Sequence, residues 1–349
     1  MREEHTRLLL RIKRRILARH LVLARAVLTG LTLIMLWGLL LGTRQLINVS
    51  GLGVYVKMAG NFLFMPEGLV EEHEGRINIL LLGKAGKDPV LTDTMIMVSM
   101  RRGQGSNAVM LSIPRDIWVP EFSDKINSAY SRGGDKGGLI LAKSVVEEVV
   151  GVPINYALTF NFEGFVEIVN ILGGVEVEVE RSFTDNRFPI PGREDDDCGG
   201  DPEFLCRYES VSFEKGRQLM DGATALKLTR SRHSEDPGEG TDLARAARQH
   251  KVILAIKEKA LKPETFLSPE KVSRLWSAFW VNVETDLSGN QLAYIARIVF
   301  DVRDSILSYA IPEELLFNPP YSPDYNNLYV FIPKDGDWGR IHEWVLGIL

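Results

Sequence analysis

Three kinds of apolar run pattern this chain, and each predicts a different element. The first is short and continuous: Ile77-Asn78-Ile79-Leu80-Leu81-Leu82 ending at Gly83, Met95 to Met100, and Ala108 to Ile113 ending at Pro114. Runs of this length bounded by Gly, Pro and charge predict strands buried on both faces. The turn-rich stretch Arg101 to Asn107 predicts a hairpin connection between the last two. The clearest single strand is Val175-Glu176-Val177-Glu178-Val179-Glu180, whose strict alternation turns the valines to a core. The second kind has helical spacing. Leu139, Ala142, Val145, Val146 and Val149 share a face, so 139–150 reads as a helix stopped by Gly151. Residues 162–172 read as another, ended by Gly173-Gly174, and a long helix runs from an Asp242 N-cap to Leu261, closed by Pro263. Residues 265–349 carry four of the six tryptophans and predict one or two helices plus a final strand, Leu328–Ile332. Helices interleaved with buried strands predict an α/β sandwich around a mixed sheet.

The third kind of run lies near the N-terminus. Residues 26–42 carry no charge, and with Leu21 to Ala24 the segment reaches bilayer-spanning length, interrupted only by Arg25, which can snorkel. Arg2, Arg7, Arg11, Lys13, Arg14, Arg15, Arg19 and Arg25 precede the apolar stretch, whereas Arg44 alone follows within a dozen positions. The positive-inside rule therefore predicts a single-pass protein of the cell membrane with a cytoplasmic N-terminus and an extracytoplasmic domain. A cleavable signal peptide competes with this reading, but no small-x-small site follows Gly42. The expected organisation is a basic tail at 1–20, an anchor at 21–42, a stalk at 43–75, a catalytic domain at 76–264, and a segment at 265–349 that completes or extends it.

Charge sharpens this division. The formal net charge of −5 hides a basic tail and a distinctly acidic remainder. Nucleic acid is thereby disfavoured as a partner, and the tail suits an anionic lipid surface. Cys198 and Cys206 flank part of an acidic, Gly-rich loop, and a local disulfide or free thiols are both open readings. A zinc site lacks ligands, since His233 has no suitable spacing to them. Gly83-Lys84-Ala85-Gly86-Lys87-Asp88 has too few residues between its glycines for a P-loop, and G-x-S-x-G and H-E-x-x-H motifs are absent.

Charge also stands where burial is predicted. Thr92-Asp93-Thr94 leads into one strand, and Pro114-Arg115-Asp116 follows another, at strand ends where α/β sheets bind ligands. Leu226 to Arg232 puts Arg230 and Arg232 on an apolar stripe if extended, and Arg230 alone if helical. On the long helix Arg245, Arg248 and Gln249 lie at i, i+3 and i+4, continued by Val252 and Ile256. Guanidinium groups over apolar walls suit a pyrophosphate head on a greasy tail. Asp93 and Asp116 fit three tasks: holding Mg2+, deprotonating a hydroxyl, or orienting an arginine. Spacing does not separate them.

These motifs, taken in order with Lys125-Ile126-Asn127-Ser128-Ala129-Tyr130, Asn161-Phe162-Glu163-Gly164-Phe165, Gly173-Gly174-Val175 and Asp221-Gly222, resemble the LytR-CpsA-Psr family of cell-wall glycopolymer phosphotransferases over residues 77–261. The resemblance implies a three-layer fold, with a central mixed β-sheet between helices and an apolar cleft for a polyprenyl tail. It implies that Arg115, Arg230, Arg232, Arg245, Arg248, Gln249 and Lys125 hold the pyrophosphate, that Asp93, Arg115 and Asp116 act in catalysis, and that Mg2+ assists, with Asp93 and Asp88 as candidate ligands. The implied partners are a polyprenyl-pyrophosphate-linked glycan, peptidoglycan and the lipid bilayer. Two positions depart from the family pattern: Ala85 replaces an Asp that helps hold metal, and Leu91 replaces an Arg, with Lys84 or Lys87 available to supply charge. A pyrophosphatase that uses water, and a polyprenyl-lipid-binding regulator without catalysis, are the rival expectations.

Overall fold

The computed structural model describes residues 60, 68–86, 89–103, 105–236 and 238–349. The expected tail and anchor, and most of the stalk, lie outside these, as do Lys87 and Asp88. Among the described residues no helix is long and apolar enough to cross a membrane.

The three apolar runs form β1 (Arg76–Ala85), β2 (Leu91–Arg101) and β3 (Asn107–Ser112), an antiparallel meander at the centre of the main sheet. On one side β4 (Tyr156–Phe160) pairs parallel with β1. The alternating valine strand, β5 (Val175–Val179), buries its three valines as expected but stands outside this sheet. It pairs with β8 (Gly216–Met220), and β6 (Phe183–Pro189) pairs with β7 (Tyr208–Phe213); these ribbons build a core of their own. Both edges of the central sheet come from the C-terminal segment: β9 (Val283–Thr285) beside β4, and β10 (Ile306–Ala310) parallel to β3. Residues beyond 264 thus complete the domain. Its order is β9-β4-β1-β2-β3-β10, a mixed sheet.

Alternate residues of β1 feed different cores, which makes the sheet the middle of three layers. Leu80 and Leu82 pack with Val145, Val146 and Val149 of helix α1 (Ala129–Val150), whereas Ile77 and Ile79 pack with helix residues Tyr294, Ile295 and Ile298. Helix α2 (Phe162–Leu172) has the expected bounds because Asn161 caps it, accepting from Gly164 N, and Gly173 leaves it at φ 81°. After α3 (Gly222–Arg230) comes α4 (Asp242–Ala260), followed by α5 (Pro269–Asn282), α6 (Gly289–Asp301) and α7 (Gly339–Ile348).

Four expectations are corrected. Helix α1 begins at Ala129, ten residues before Leu139; a Gly-rich turn with a non-helical Gly134 (φ 62°) masks its first part. The cap of α4 is Thr241, whose Oγ1 accepts from Ala244 N at 3.1 Å, with Asp242 as the first helical residue. The final strand shrinks to Ile332–Pro333 paired with Leu316–Phe317, because β10 already occupies the sheet edge. The stalk ends early: Val70 is buried, and Leu69 O and Glu71 N are tied to Gln291 and Tyr156.

Candidate active site

A β-bulge creates the site. Gly83 pairs with Thr94 but Lys84 pairs with Thr92, so Asp93 is the extra residue on β2. The neighbouring Thr92 is pinned inside by its hydroxyl, which donates to Asn127 O at 3.0 Å. Gly83 is required by the close approach, since a Cβ there would sit 2.9 Å from Thr94 Cβ. Pro114 ends β3 and delivers Arg115 and Asp116 beside the bulge.

Ion pairs then fix the order of charges. Arg115 Nη1 lies 2.9 Å from Asp93 Oδ1, and Asn127 Nδ2 donates to the same oxygen at 3.3 Å. Asp116 receives Lys125 Nζ on Oδ1 at 2.6 Å and faces Arg115 Nε across 3.4 Å on Oδ2. The latter contact is an ion pair only, since the buried Nε–H finds no hydrogen-bond acceptor. A buried donor left over in this way is the kind of group a ligand satisfies. Burial alone would lower the pKa of Arg115, but Asp93 and Asp116 outweigh it and hold it above the usual value.

Arg245 joins this group from α4. Its Nη2 lies 2.8 Å from Asp242, yet burial, reinforced by Arg115, leaves its pKa below the usual guanidinium value. Arg230 lies over the Phe162 ring at 4.3 Å, its pKa likewise lowered by burial despite Asp93 and Glu194. Both arginines remain cations. Their desolvation is incompletely offset by the protein's own acids, so an anion is the natural complement.

Asp93, Arg115, Asp116 and Arg245 wall a cleft whose other lining is mostly apolar, including Met95, Ile113, Ala246, Ala310, Ile311, Leu316 and Phe331. Asp93, Arg115 and Asp116 also line a second cleft with Lys125, Asn127, Ser128 and Arg132. The charged cluster is therefore shared by two clefts.

Not every sequence candidate reaches this cluster. Gln249 lines the apolar cleft while bonding Thr94 Oγ1 and Thr229 O. Arg232 is exposed, on backbone held by Asp185 Oδ2, which accepts from the N–H of Arg232 and of His233. Arg248 does face inward, but four hydrogen bonds commit its guanidinium to Glu239 and to the carbonyls of Leu228, Ser231 and Glu239. Its assignment to pyrophosphate is corrected on that ground: it braces the chain around the site. Lys84 points to Glu284 at 3.8 Å and to the Tyr130 ring. Cys198 and Cys206 form a disulfide.

The profile of the LytR_cpsA_psr family matches residues 57–343. The chain belongs to the LytR-CpsA-Psr family. Among curated LytR-CpsA-Psr relatives, the polyisoprenyl-teichoic acid–peptidoglycan teichoic acid transferase TagU of Oceanobacillus iheyensis is 29% identical over 278 residues, 78% of this chain and 75% of that protein. The equally named protein of Bacillus mycoides is 31% identical over 222 residues, which cover 62% of each chain. The crystal structure of B. subtilis TagV shares the fold, with a TM-score of 0.56 and 24% identity over 79% of this chain and 98% of that one.

A buried pair escaped the LytR-CpsA-Psr motif reading. Ser112 Oγ, lining the apolar cleft, lies 2.9 Å from His250 Nε2 across 138 positions of sequence. Neither residue belongs to a local pattern that would signal the contact. Burial pushes the His250 pKa from 6.5 down to about 4. Between those values the unfolded chain binds a proton that the folded one refuses, so this contribution to stability is present above pH 6.5 and lost as pH falls toward 4. Parent protein should lose up to about 3 kcal/mol through this window. Urea midpoints measured from pH 7 to 4.5 should decline more steeply for it than for His250→Gln; parallel slopes would contradict the assignment.

Proposed function

We propose that this chain is a membrane-anchored phosphotransferase that moves a glycopolymer from a polyprenyl-pyrophosphate carrier to a peptidoglycan hydroxyl. The observation that carries the reading is a mostly apolar cleft that Asp93, Arg115, Asp116 and Arg245 also line. The acceptor oxygen attacks the phosphorus bearing the glycan, the phosphoanhydride bond breaks, and polyprenyl phosphate leaves. Arg115, with Arg245 and Arg230 close by, neutralises charge on the leaving phosphate. Lys125 and Asp116 act through Arg115, holding its guanidinium in register. Asp93 takes the direct role, because its contacts with Arg115 and Asn127 both end on Oδ1 and, among the described residues, leave Oδ2 for the reaction. That oxygen suits the proton of the incoming hydroxyl. It also suits Mg2+, which commonly binds through one or two carboxylates plus substrate phosphates and supplies further charge neutralisation when bound. The Cys198–Cys206 disulfide fits an oxidising compartment outside the membrane.

Donor lipid labelled in its glycan tests the reading. Label should become fixed to peptidoglycan when that acceptor is present, with little free glycan phosphate in its absence. Release of free glycan phosphate at one rate under both conditions would make the protein a pyrophosphatase instead.

A further inference from the structure

The mostly apolar cleft stops at one level on the elements that line it. Its lining takes Met95 from β2, Ser112 from β3 and Ala310 from β10, and on α4 it ends at Gln249. That level is a row of the sheet, since Ser112 pairs with Ile96 on one side and with Ala310 on the other. Paired residues share a face, so Ile96, Ser112 and Ala310 stand side by side. Two residues further in, the next row on this face holds Val98 and Met110. Ile96 and Met110 are buried, and Val98 packs against the core of Ile77, Ile79 and Tyr294. Ser112 is thus a hydroxyl set in an apolar track.

Helix α4 meets the track at the same level. Leu243 and Ala246 line the cleft from one face of the helix, and the next turn of that face brings His250, which does not line it. Instead His250 Nε2 lies 2.9 Å from Ser112 Oγ, and both residues are buried. The preceding residue repeats the tie one strand over, Gln249 Nε2 donating to Thr94 Oγ1 at 3.1 Å. Two consecutive residues of α4 are therefore fastened to β3 and β2 where the cleft ends. A hydrocarbon tail seated in the cleft could advance past this level only by parting a buried hydrogen bond, leaving a hydroxyl and an imidazole without partners in apolar surroundings. A tail drawn from a bilayer gains little by exchanging one apolar surrounding for another, so little offsets that loss.

We propose that the Ser112–His250 pair is the inner stop of the cleft and fixes how many isoprene units of a prenyl tail seat in it. This inference rests on the polyprenyl-pyrophosphate substrate of the transferase reading. Trimming His250 opens the row of Val98 and Met110, two residues of strand or about 7 Å further in, which admits another isoprene unit.

Binding tests the stop separately from transfer. The full chain in nanodiscs is irradiated with glycan-free prenyl pyrophosphates that end in a diazirine and differ in length by one isoprene unit, and the labelled residues are located by peptide mass spectrometry. In the parent, label should move inward with each added unit as far as Ser112 and His250 and then advance no further. In His250→Ala it should shift by one row, to Val98 and Met110. His250→Gln, which keeps a hydrogen-bonding side chain in place, should hold the parental limit. Ala246→Leu fills the cleft one turn before the stop, so label should halt short of Ser112; this variant decides the matter if His250→Ala does not fold. Four results overturn the stop: label on Val98 or Met110 in the parent, the parental limit kept by His250→Ala, label still reaching Ser112 in Ala246→Leu, or no label in the cleft at any length. Glycan transfer by the same parent protein is scored alongside. A parent that labels as far as the stop but transfers nothing refutes the transferase reading and keeps the stop.

Discussion

Replacing Arg115 with alanine should lower the transfer rate by about 10²–10³-fold, the loss expected when one preorganised charge at a reacting centre is removed. Arg115 touches both acids of the cluster, Asp93 at 2.9 Å and Asp116 at 3.4 Å. Its removal leaves two neighbouring carboxylates facing a phosphate donor, so repulsion is added to lost attraction. Arg115→Lys should recover little, because an ammonium cannot bridge two carboxylates and also present a planar fork to pyrophosphate. Steady-state rates on labelled donor, set beside urea midpoints, check this. The claim predicts a collapse in kcat with a folded protein and a smaller change in donor KM. A variant that binds donor tenfold worse but turns over at the parental rate would move Arg115 out of the reaction and into ground-state binding.

Much of this arrangement was legible in the chain, and the parts that were not have physical causes. Continuous apolar runs announced β1, β2 and β3 because both faces of a central strand are buried. The edge strands β9 and β10 gave no such signal: in β10 Leu307 and Ser308 are exposed, and in β9 Glu284 is, so neither run is uniformly apolar. Thr92-Asp93-Thr94 was recognisable as charge at a strand, but the bulge that extrudes Asp93 is a property of pairing with β1 and has no local signature. Periodicity placed Arg245, Arg248 and Gln249 on an inward face of α4. It carried no information on what each would meet there, since one side of that helix packs toward β10 and Ser112 and another toward α3 and β5.

Arg248 shows how large that missing information is, because the same inward stripe delivers one arginine to the cleft and another to a brace. Its Nε donates to Leu228 O at 3.1 Å, and its Nη1 to Glu239 O at 3.0 Å and to Glu239 Oε2 at 2.6 Å. Its Nη2 donates to Ser231 O, and the guanidinium lies 4.8 Å from the Phe183 ring. Both charges are largely buried, at 7% and 14% side-chain exposure. Arg248→Ala should therefore destabilise the domain by about 3–5 kcal/mol, since it strands a buried carboxylate and several carbonyls at once. Activity would fall with it, because Arg230 and Asp242 flank the segment that Arg248 ties down, so turnover alone cannot identify the role. Urea unfolding separates the two arginines. Arg248→Ala should shift the midpoint far more than Arg115→Ala does, and adding Glu239→Leu to Arg248→Leu should recover part of the loss by removing the stranded charge. An Arg248→Ala protein that unfolds at the parental midpoint but fails to bind donor would restore Arg248 to the pyrophosphate site.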